Sequence, residues 1–253
     1  MMSCLTTNMY AQEENQTNEQ PESSDAIAEK LNNPTAAIGS LTGLIDFKTF
    51  EGDLPMAGEQ TAWSFTFQPS LPKPLKSGKN LLFRPAIPIL LKQPVYNGTN
   101  FENAGVNLGD IGFDLAIGST SDKGILFLAG LVGSIPTATS SNLRGQWAFG
   151  PEIMIGKLSK KYIVGALISQ KWDVESGPEK TSVLGGQYFM FFPIGKGRTL
   201  GAAPNYSYDW VSKQFTFPLG VGYSSVTKFG NMPFKYGFQV HYYVAKSDLF
   251  APQ

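Results

Sequence analysis

Apolar and polar residues alternate along most of this chain, in segments of about ten residues. In 145–156, Trp147, Phe149 and Ile153 fall on one face, and Ala148 and Glu152 on the other. Successive side chains of a β-strand point to opposite faces, so each segment has one apolar face and one small or polar face. The longest apolar run, 124–136, is shorter than the roughly 20 residues of a membrane-spanning helix. The pattern therefore predicts an all-β protein whose tilted strands could cross a bilayer.

Eleven strands are predicted from this alternation and from the breaks between segments. They cover 36–47, 60–69, 79–91, 106–118, 123–135, 144–156, 161–173, 180–194, 198–210, 213–225 and 233–245. Tight turns are predicted at 157–161, 195–197 and 228–233, and longer polar loops at 50–60 and 93–104. Short turns on one rim and longer loops on the other are typical of outer-membrane barrels.

The predicted fold is an antiparallel up-and-down transmembrane β-barrel. Bacterial barrels of this type have an even number of strands, and closure removes the open edges. We therefore expect about 12 strands, with the last one missing from this chain. The alternative is a barrel of ten or eleven segments that is closed by the N-terminal segment.

Three regions are predicted along the chain. Residues 1–12 end in Met9-Tyr10-Ala11-Gln12, which is typical of a signal peptide cleaved after Ala11, although the basic start and the apolar stretch of a signal are missing. We interpret 1–12 as a truncated remnant of a signal peptide, and the alternative is an ordinary chain terminus. Residues 13–34 form a polar, flexible N-terminal segment, with a short helix over 25–31 that Asp25 caps. Residues 35–253 form the barrel.

Composition excludes several classes of function. The 20 basic and 20 acidic residues cancel, so charge gives no reason to expect a nucleic-acid partner. One cysteine and one histidine cannot build a disulfide framework or a Cys/His zinc site, and no metal or cofactor is predicted. The segment Gly195-Lys196-Gly197-Arg198-Thr199 lacks the glycine spacing of a phosphate-binding loop, and no set of catalytic groups is recognisable. We therefore predict that the chain is not an enzyme.

Two sets of residues have predicted roles in a membrane barrel. Charged and polar residues on the faces opposite the apolar ones are predicted to line the lumen, where charge sets selectivity. They are Arg84, Lys92, Asp114, Glu152, Lys171, Lys235, Gln239 and His241. Structural salt bridges that fill the lumen are the alternative for these residues. Aromatic residues near strand ends are predicted to form girdles at the membrane interfaces. They are Trp63, Trp147, Trp172 and Trp210 at the outer interface, and Tyr162 and Tyr223 at the opposite one.

Several short stretches match one known family. They are Leu31-Asn32-Asn33-Pro34-Thr35-Ala36, Phe67-Gln68-Pro69, Phe83-Arg84-Pro85, Leu108-Gly109-Asp110-Ile111, Ser134-Ile135-Pro136-Thr137-Ala138-Thr139, Trp147-Ala148-Phe149-Gly150-Pro151, Tyr208-Asp209-Trp210 and Phe217-Pro218-Leu219-Gly220-Val221-Gly222. In these stretches, spread over 31–253, the chain resembles the bacterial outer-membrane proteins of the phenol-degradation meta-pathway family. The resemblance implies an outer-membrane barrel that passes small, often hydrophobic, molecules. It carries over no catalytic residue.

The sequence thus predicts a passive outer-membrane channel or transporter for small solutes, which include hydrophobic or aromatic ones. Its partners would be the lipid bilayer, an unidentified small molecule and the barrel assembly machinery. A soluble lipocalin-like binding barrel and a purely structural outer-membrane protein are the alternatives. The orientation of the strands separates the first two, because a membrane barrel turns its apolar face outward and a lipocalin-like barrel turns it inward.

Overall fold

The computed structural model describes the backbone of residues 2–9 and all of residues 22–175, 180–230 and 232–253. The predicted cleavage point after Ala11 and the polar stretch 13–21 lie outside the described residues. Within the described residues there are seventeen strands, one α-helix and two 3-10 helices at Ala57–Glu59 and Ser141–Leu143. The helix α1 is Ser24–Asn32. The strands are β1 Met2–Met9, β2 Ser40–Glu51, β3 Thr61–Pro74, β4 Asn80–Lys92, β5 Pro94–Tyr96, β6 Phe101–Asn103, β7 Asn107–Leu108, β8 Ile111–Thr120, β9 Ile125–Ile135, β10 Ala148–Leu158, β11 Ile163–Asp173, β12 Ser182–Gly195, β13 Arg198–Ala202, β14 Asn205–Asp209, β15 Gln214–Phe229, β16 Met232–Ala245 and β17 Ala251–Pro252.

All eleven predicted strands are present, and the all-β barrel fold is confirmed. Consecutive long strands pair antiparallel with their neighbours, and fifteen strands join in one sheet. The predicted strand 198–210 is divided into β13 and β14 at Ala203 and Pro204. Proline has no N–H to donate to a neighbouring strand, so it interrupts the hydrogen-bond ladder at this point.

Strand β1 closes the barrel. It pairs antiparallel with β2 on one side, where Met2 is opposite Phe47, and with β16 on the other, where Met2 is opposite Val240. The described strands from β1 to β16 fill twelve positions around the axis, because β13 and β14 share one position, β7 and β8 share another, and β5 and β6 lie outside the ring. The position that the sequence assigned to a missing last strand is thus occupied by residues 2–9, which lie in the predicted signal remnant. Strand β17 pairs only with the end of β2.

The two ends of the barrel differ in the length of their connections. One end, the short-turn rim, carries the connections 75–79, 121–124, 159–162 and 196–197, and the turn that follows Phe229. At 196–197, both Lys196 and Gly197 have positive φ, 58° and 71°. A two-residue turn of this type matches the twist of the strands that it joins. The predicted turns at 157–161, 195–197 and 228–233 therefore lie on the same rim.

The other end, the long-loop rim, carries the connections 52–60, 93–110, 136–147, 174–181 and 210–213. The β5–β6 hairpin belongs to the second of these and forms its own small sheet. Asp110 fixes the third, because its carboxylate accepts hydrogen bonds from the N–H groups of Ala138 (2.9 Å) and Gly145 (2.7 Å). The hydroxyl of Thr137 also donates to the carbonyl of Gly109 (3.0 Å). The loop 136–147 is therefore held against the beginning of β8.

Helix α1 lies at the short-turn rim, close to its predicted range. Its N-cap is Ser23, whose hydroxyl accepts a hydrogen bond from Ala26 N (3.2 Å). The prediction that Asp25 caps the helix was wrong, because Asp25 lies in the first turn and its carboxylate instead accepts a hydrogen bond from Gly197 N (2.6 Å). The helix ends before Asn33, which has extended backbone geometry and precedes Pro34.

Candidate functional site

Most large apolar side chains of the strands point away from the barrel axis. Ile155 is 63% exposed and Leu219 is 53% exposed, whereas Glu152 is only 4% exposed. Exposed large apolar residues occur on β2, β3, β4, β8 to β13, β15 and β16. Soluble monomers rarely expose apolar patches of more than a few hundred Å². The outer surface is therefore an apolar band, and the polar residues of the same strands turn inward.

The six aromatic residues assigned to girdles lie near the two rims. All four tryptophans are exposed near the long-loop rim: Trp63 early in β3, Trp147 just before β10, Trp172 at the end of β11 and Trp210 just after β14. Tyr162 is exposed in the 159–162 connection of the short-turn rim, and Tyr223 lies on β15 opposite Phe238. Trp210 also donates its indole N–H to the side-chain oxygen of Gln170 (3.0 Å). This placement agrees with the arrangement of an aromatic girdle, whose membrane role stays a prediction.

An ion pair lies on the inner face of the barrel wall. Arg84 on β4 is directly opposite Asp114 on β8, and Arg84 Nε is 2.7 Å from Asp114 Oδ1. Both side chains are largely buried. The pair combines a salt bridge with a hydrogen bond, the arrangement that partly compensates for taking two charges out of water.

Glu152 lies near this ion pair but has no such compensation. The register places Glu152 opposite Gly130, and Gly130 opposite Ala116, two residues from Asp114. The carboxylate oxygen Oε1 of Glu152 is buried and has no hydrogen-bond partner among the described residues. A buried charge without hydrogen bonds is unfavourable. Glu152 therefore has a buried carboxylate oxygen that no described residue satisfies.

A layer of apolar side chains fills the inner wall between this charged region and the short-turn rim. We call it the apolar layer: Leu82, Ala116, Leu126, Leu128, Met154, Ile163 and Phe189. On each of three strands, the inward-facing residue next to the charged one, on the side of the short-turn rim, belongs to this layer. These neighbours are Leu82 beside Arg84, Ala116 beside Asp114 and Met154 beside Glu152. The prediction of a small or polar inner face is therefore correct only for part of the wall. The sequence signal for this layer is the apolar run 125–128, in which both faces of the strand are apolar.

Four other predicted lumen residues also face inward. Lys171 is opposite Val183, and Lys235 is opposite the buried Val226. The side-chain oxygen of Gln239 accepts a hydrogen bond from Ala203 N (3.0 Å) and lies 3.2 Å from Nε2 of His241. Gln239 and His241 are thus already part of a local hydrogen-bond network with the backbone.

The structure places Lys92 differently from its prediction as a lumen residue. A β-bulge shifts the register so that Ser64 pairs with Leu90, but Trp63 pairs with Lys92. Residues opposite each other in a sheet point to the same face, so Lys92 shares the outer face of the exposed Trp63. Its ammonium group donates a hydrogen bond to the hydroxyl of Thr61 (2.7 Å). Simple alternation along 79–91 could not reveal this bulge.

The residues that enclose the short-turn end of the lumen are α1 and the residues that follow it. We call residues 22–36 the mouth segment. Ile27 and Ala28 of α1 pack against Val226 on β15, with Leu31 beside them. Lys228 on the same strand donates a hydrogen bond to the carbonyl of Glu22 (2.8 Å). These contacts fix the helix to one side of the barrel wall.

Beyond α1, the mouth segment crosses to the opposite wall. Asn32 donates its side-chain amide to Thr199 Oγ1 on β13 (3.2 Å) and accepts a hydrogen bond from Lys235 Nζ on β16 (2.6 Å). The next residue, Asn33, donates its amide to Thr120 Oγ1 on β8 (3.1 Å). Strands β13 and β8 are separated by β12, β11, β10 and β9 in one direction and by six strand positions in the other. Two consecutive asparagines therefore bind nearly opposite sides of the ring.

The same crossing is completed at Thr35, which is almost fully buried. The hydroxyl oxygens of Thr35 and Thr120 are 2.8 Å apart, and Asn80 on β4 donates to the carbonyl of Thr35 (2.9 Å). Sequence analysis used Asn32, Asn33 and Pro34 only as part of a stretch that matches a known family. Their partners lie far away in sequence, so no local pattern could indicate these contacts.

Other kinds of site are not evident in the described residues. No group of three or more His, Cys, Asp or Glu side chains among them is arranged to hold a metal ion. No helix in the described part of the chain has both the length and the apolar character needed to cross a membrane. A polar recess of about 640 Å³ lies on the long-loop rim between the β5–β6 hairpin and Asn142. In this recess, Asn97 donates its amide to the carboxylate of Glu102 (2.6 Å), so these two groups satisfy each other.

Comparison with known proteins identifies no similar protein. No family model matches the chain, and no curated protein or solved structure matches it significantly. The resemblance to outer-membrane proteins of the phenol-degradation meta-pathway family therefore stays a prediction from the short stretches of sequence that carry it.

Proposed function

We propose that this chain is an outer-membrane β-barrel through whose lumen small solutes cross the membrane. The observation that carries the proposal is the orientation of the wall: an exposed apolar band outside, and Arg84, Asp114 and Glu152 inside. A bilayer is the surrounding that makes such a band favourable, because its acyl chains replace water around the apolar side chains. The tryptophans near the long-loop rim are placed where an interfacial girdle would lie.

The orientation argues against the soluble, lipocalin-like alternative. A soluble binding barrel would place its apolar residues around an internal cavity and its charged residues outside. Here the inner wall contains an ion pair, a buried glutamate and only one apolar layer. We therefore propose the outer membrane as the location, lipid as the first partner, and the barrel assembly machinery as the route of insertion.

The interior suggests what kind of solute would pass. A solute that travels along the lumen meets the charged region at Arg84, Asp114 and Glu152 and then the apolar layer. Ions and strongly hydrated solutes are disfavoured at an apolar constriction, which tends to lose its water. Small uncharged molecules with both a polar and an apolar part are best suited to pass the charged region and then the apolar layer. This is compatible with the hydrophobic or aromatic solutes that the resemblance implies.

Two measurements on the purified full chain test the proposal. A folded outer-membrane barrel should need detergent for extraction and should migrate differently on an SDS gel before and after boiling. Reconstituted vesicles should then swell in isosmotic solutions of small uncharged solutes, and vesicles that contain the boiled protein serve as the matched control. A chain that is monodisperse in buffer without detergent would overturn the membrane proposal.

A purely structural outer-membrane protein is the second candidate, and the filled apolar layer is the observation that favours it. The swelling assay separates the two candidates. A protein that is heat-modifiable and inserted, but never permeable to any solute, would support the structural role.

A further inference from the structure

The mouth segment closes the short-turn end of the lumen, and we propose that it is a movable plug that must leave the mouth before solute passes. This inference rests on the proposed channel function and adds its regulation. It follows from the crossing itself: residues 32 and 33 reach β13 and β8, and Thr35 is in contact with β8 and β4. While these bonds exist, the chain occupies the path between opposite walls.

The contacts that hold the plug are mostly single hydrogen bonds. Asp25 accepts from Gly197 N (2.6 Å), Lys228 donates to the carbonyl of Glu22, and Lys235 donates to Asn32. Each of these groups lies at or near the short-turn rim. Each such hydrogen bond contributes only modestly to the net stability, because folding exchanges protein–water hydrogen bonds for protein–protein ones. The attachment is therefore specific in geometry but reversible.

The apolar part of the attachment is small. Its buried cluster within the described residues consists of Ile27 and Ala28 of the mouth segment with Val226, and Leu31 packs beside them. The apolar layer, by contrast, is built entirely from residues of the wall strands and contains no residue of the mouth segment. Departure of the mouth segment would therefore leave the wall's own apolar contacts intact. A plug that belonged to the core could not move in this way.

Lys235 provides a charge-assisted connection between the plug and the wall. Its ammonium group donates to the side-chain oxygen of Asn32 at 2.6 Å and lies 5.7 Å from the centre of the Phe191 ring. A hydrogen bond from a charged donor is stronger than one between neutral groups. Asn32, the acceptor of this bond, is also the residue that contacts β13. Loss of the Lys235–Asn32 bond should therefore release the plug preferentially.

A disulfide across Thr35 and Thr120 can lock the plug in place. The two hydroxyl oxygens are 2.8 Å apart, so the two side chains already meet, and oxidation of cysteines at these positions would join them by a bond of about 2.05 Å. The variant Thr35→Cys/Thr120→Cys is made in the full chain with Cys4→Ser, which removes the protein's one native cysteine. The single variants Thr35→Cys and Thr120→Cys in the same background are the controls for redox effects.

The readout is conductance in planar bilayers, with heat-modifiable migration as the check that each variant is folded. We expect the oxidised double-cysteine protein to conduct at least about tenfold less than the same protein after reduction, and the single-cysteine controls to show no change. A second variant, Asn32→Ala/Lys235→Met, should open more often than the wild type. Its control is Asn142→Ala, which removes an exposed asparagine on the long-loop rim.

The outcomes separate the plug from the channel itself. Currents that are the same in the oxidised, reduced and Asn32→Ala/Lys235→Met proteins would overturn the plug and leave the channel function standing. Folded protein that never carries current in any of these forms, and never makes vesicles permeable, would overturn the proposed function and the plug with it. Redox-dependent current together with increased opening of the loosened variant supports both.

Discussion

Arg84 and Asp114 face each other across neighbouring strands, with Nε and Oδ1 2.7 Å apart and both side chains largely buried. Removal of one member of a buried ion pair leaves the other charge uncompensated, which typically destabilises a protein by about 3–5 kcal/mol. We expect Arg84→Met to lower the free energy of unfolding by about 3 kcal/mol, measured by urea titration in lipid vesicles. The variant Arg84→Met/Asp114→Leu should recover most of this loss, because neither member of the pair is then left as an uncompensated charge. Equal instability of the single and double variants would contradict this account.

Neutralising Glu152 should stabilise the protein, in contrast to the removal of Arg84. Its buried oxygen has no hydrogen-bond partner among the described residues, so a neutral amide at this position removes an unfavourable buried charge. We expect Glu152→Gln to raise the free energy of unfolding by about 1 kcal/mol in the same titration. The matched control is Glu175→Gln at an exposed loop position, which should change stability by less than about 0.5 kcal/mol. A large loss of stability in Glu152→Gln would show that the carboxylate has a favourable partner.

A substitution on the outer face tests whether this face contacts lipid. Ile153 lies at the middle of β10 and is 47% exposed. In a bilayer, an arginine at mid-depth on the lipid face destabilises a barrel by about 2–4 kcal/mol, whereas an exposed substitution in a soluble protein usually changes stability by less than about 0.5 kcal/mol. We therefore expect Ile153→Arg to lower the free energy of unfolding by about 2–4 kcal/mol. Val106→Arg, in the exposed loop 93–110, should change it by less than about 0.5 kcal/mol. Similar small effects of both substitutions in reconstituted protein would exclude lipid contact at Ile153.

The strands were predictable because their signal is local. In β10 and β15, side chains alternate at every residue between the outer and inner surfaces of the barrel, and this pattern is visible in the sequence alone. Closure by the N-terminal segment was predicted only as an alternative, and β1 was not assigned as a strand, because Ser3 to Asn8 has little alternation and its pairing partners lie on β2 and β16. Pairing between distant segments depends on the whole barrel and leaves no signature within one segment.

The candidate site was predictable only in part. Arg84, Asp114 and Glu152 were identified as inner-wall residues because they interrupt strands at polar positions. Lys92 was misplaced because the bulge opposite Trp63 changes the face without changing the sequence pattern. The crossing by Asn32 and Asn33 depends on hydrogen bonds to Thr199 and Thr120. These threonines come within reach of the two asparagines only when the barrel closes.

Leu128 tests whether the apolar layer restricts passage. It is fully buried on the inner wall and pairs with Met154 on β10. Truncation of a buried leucine to alanine removes packing and leaves a cavity, so we expect Leu128→Ala to lower the free energy of unfolding by about 3 kcal/mol. Leu249→Ala, which truncates an exposed leucine beyond β16, should have an effect below about 0.5 kcal/mol.

The same position should also change permeation. A hydroxyl in the layer favours water there, so Leu128→Ser should increase conductance to ions more than swelling with uncharged solutes. The comparison is made in the Asn32→Ala/Lys235→Met background, in which the mouth segment is expected to be loosened. If the apolar layer is the barrier to ions, Leu128→Ser shifts the ratio of ion conductance to solute permeability upward. An unchanged ratio would place that barrier elsewhere along the lumen.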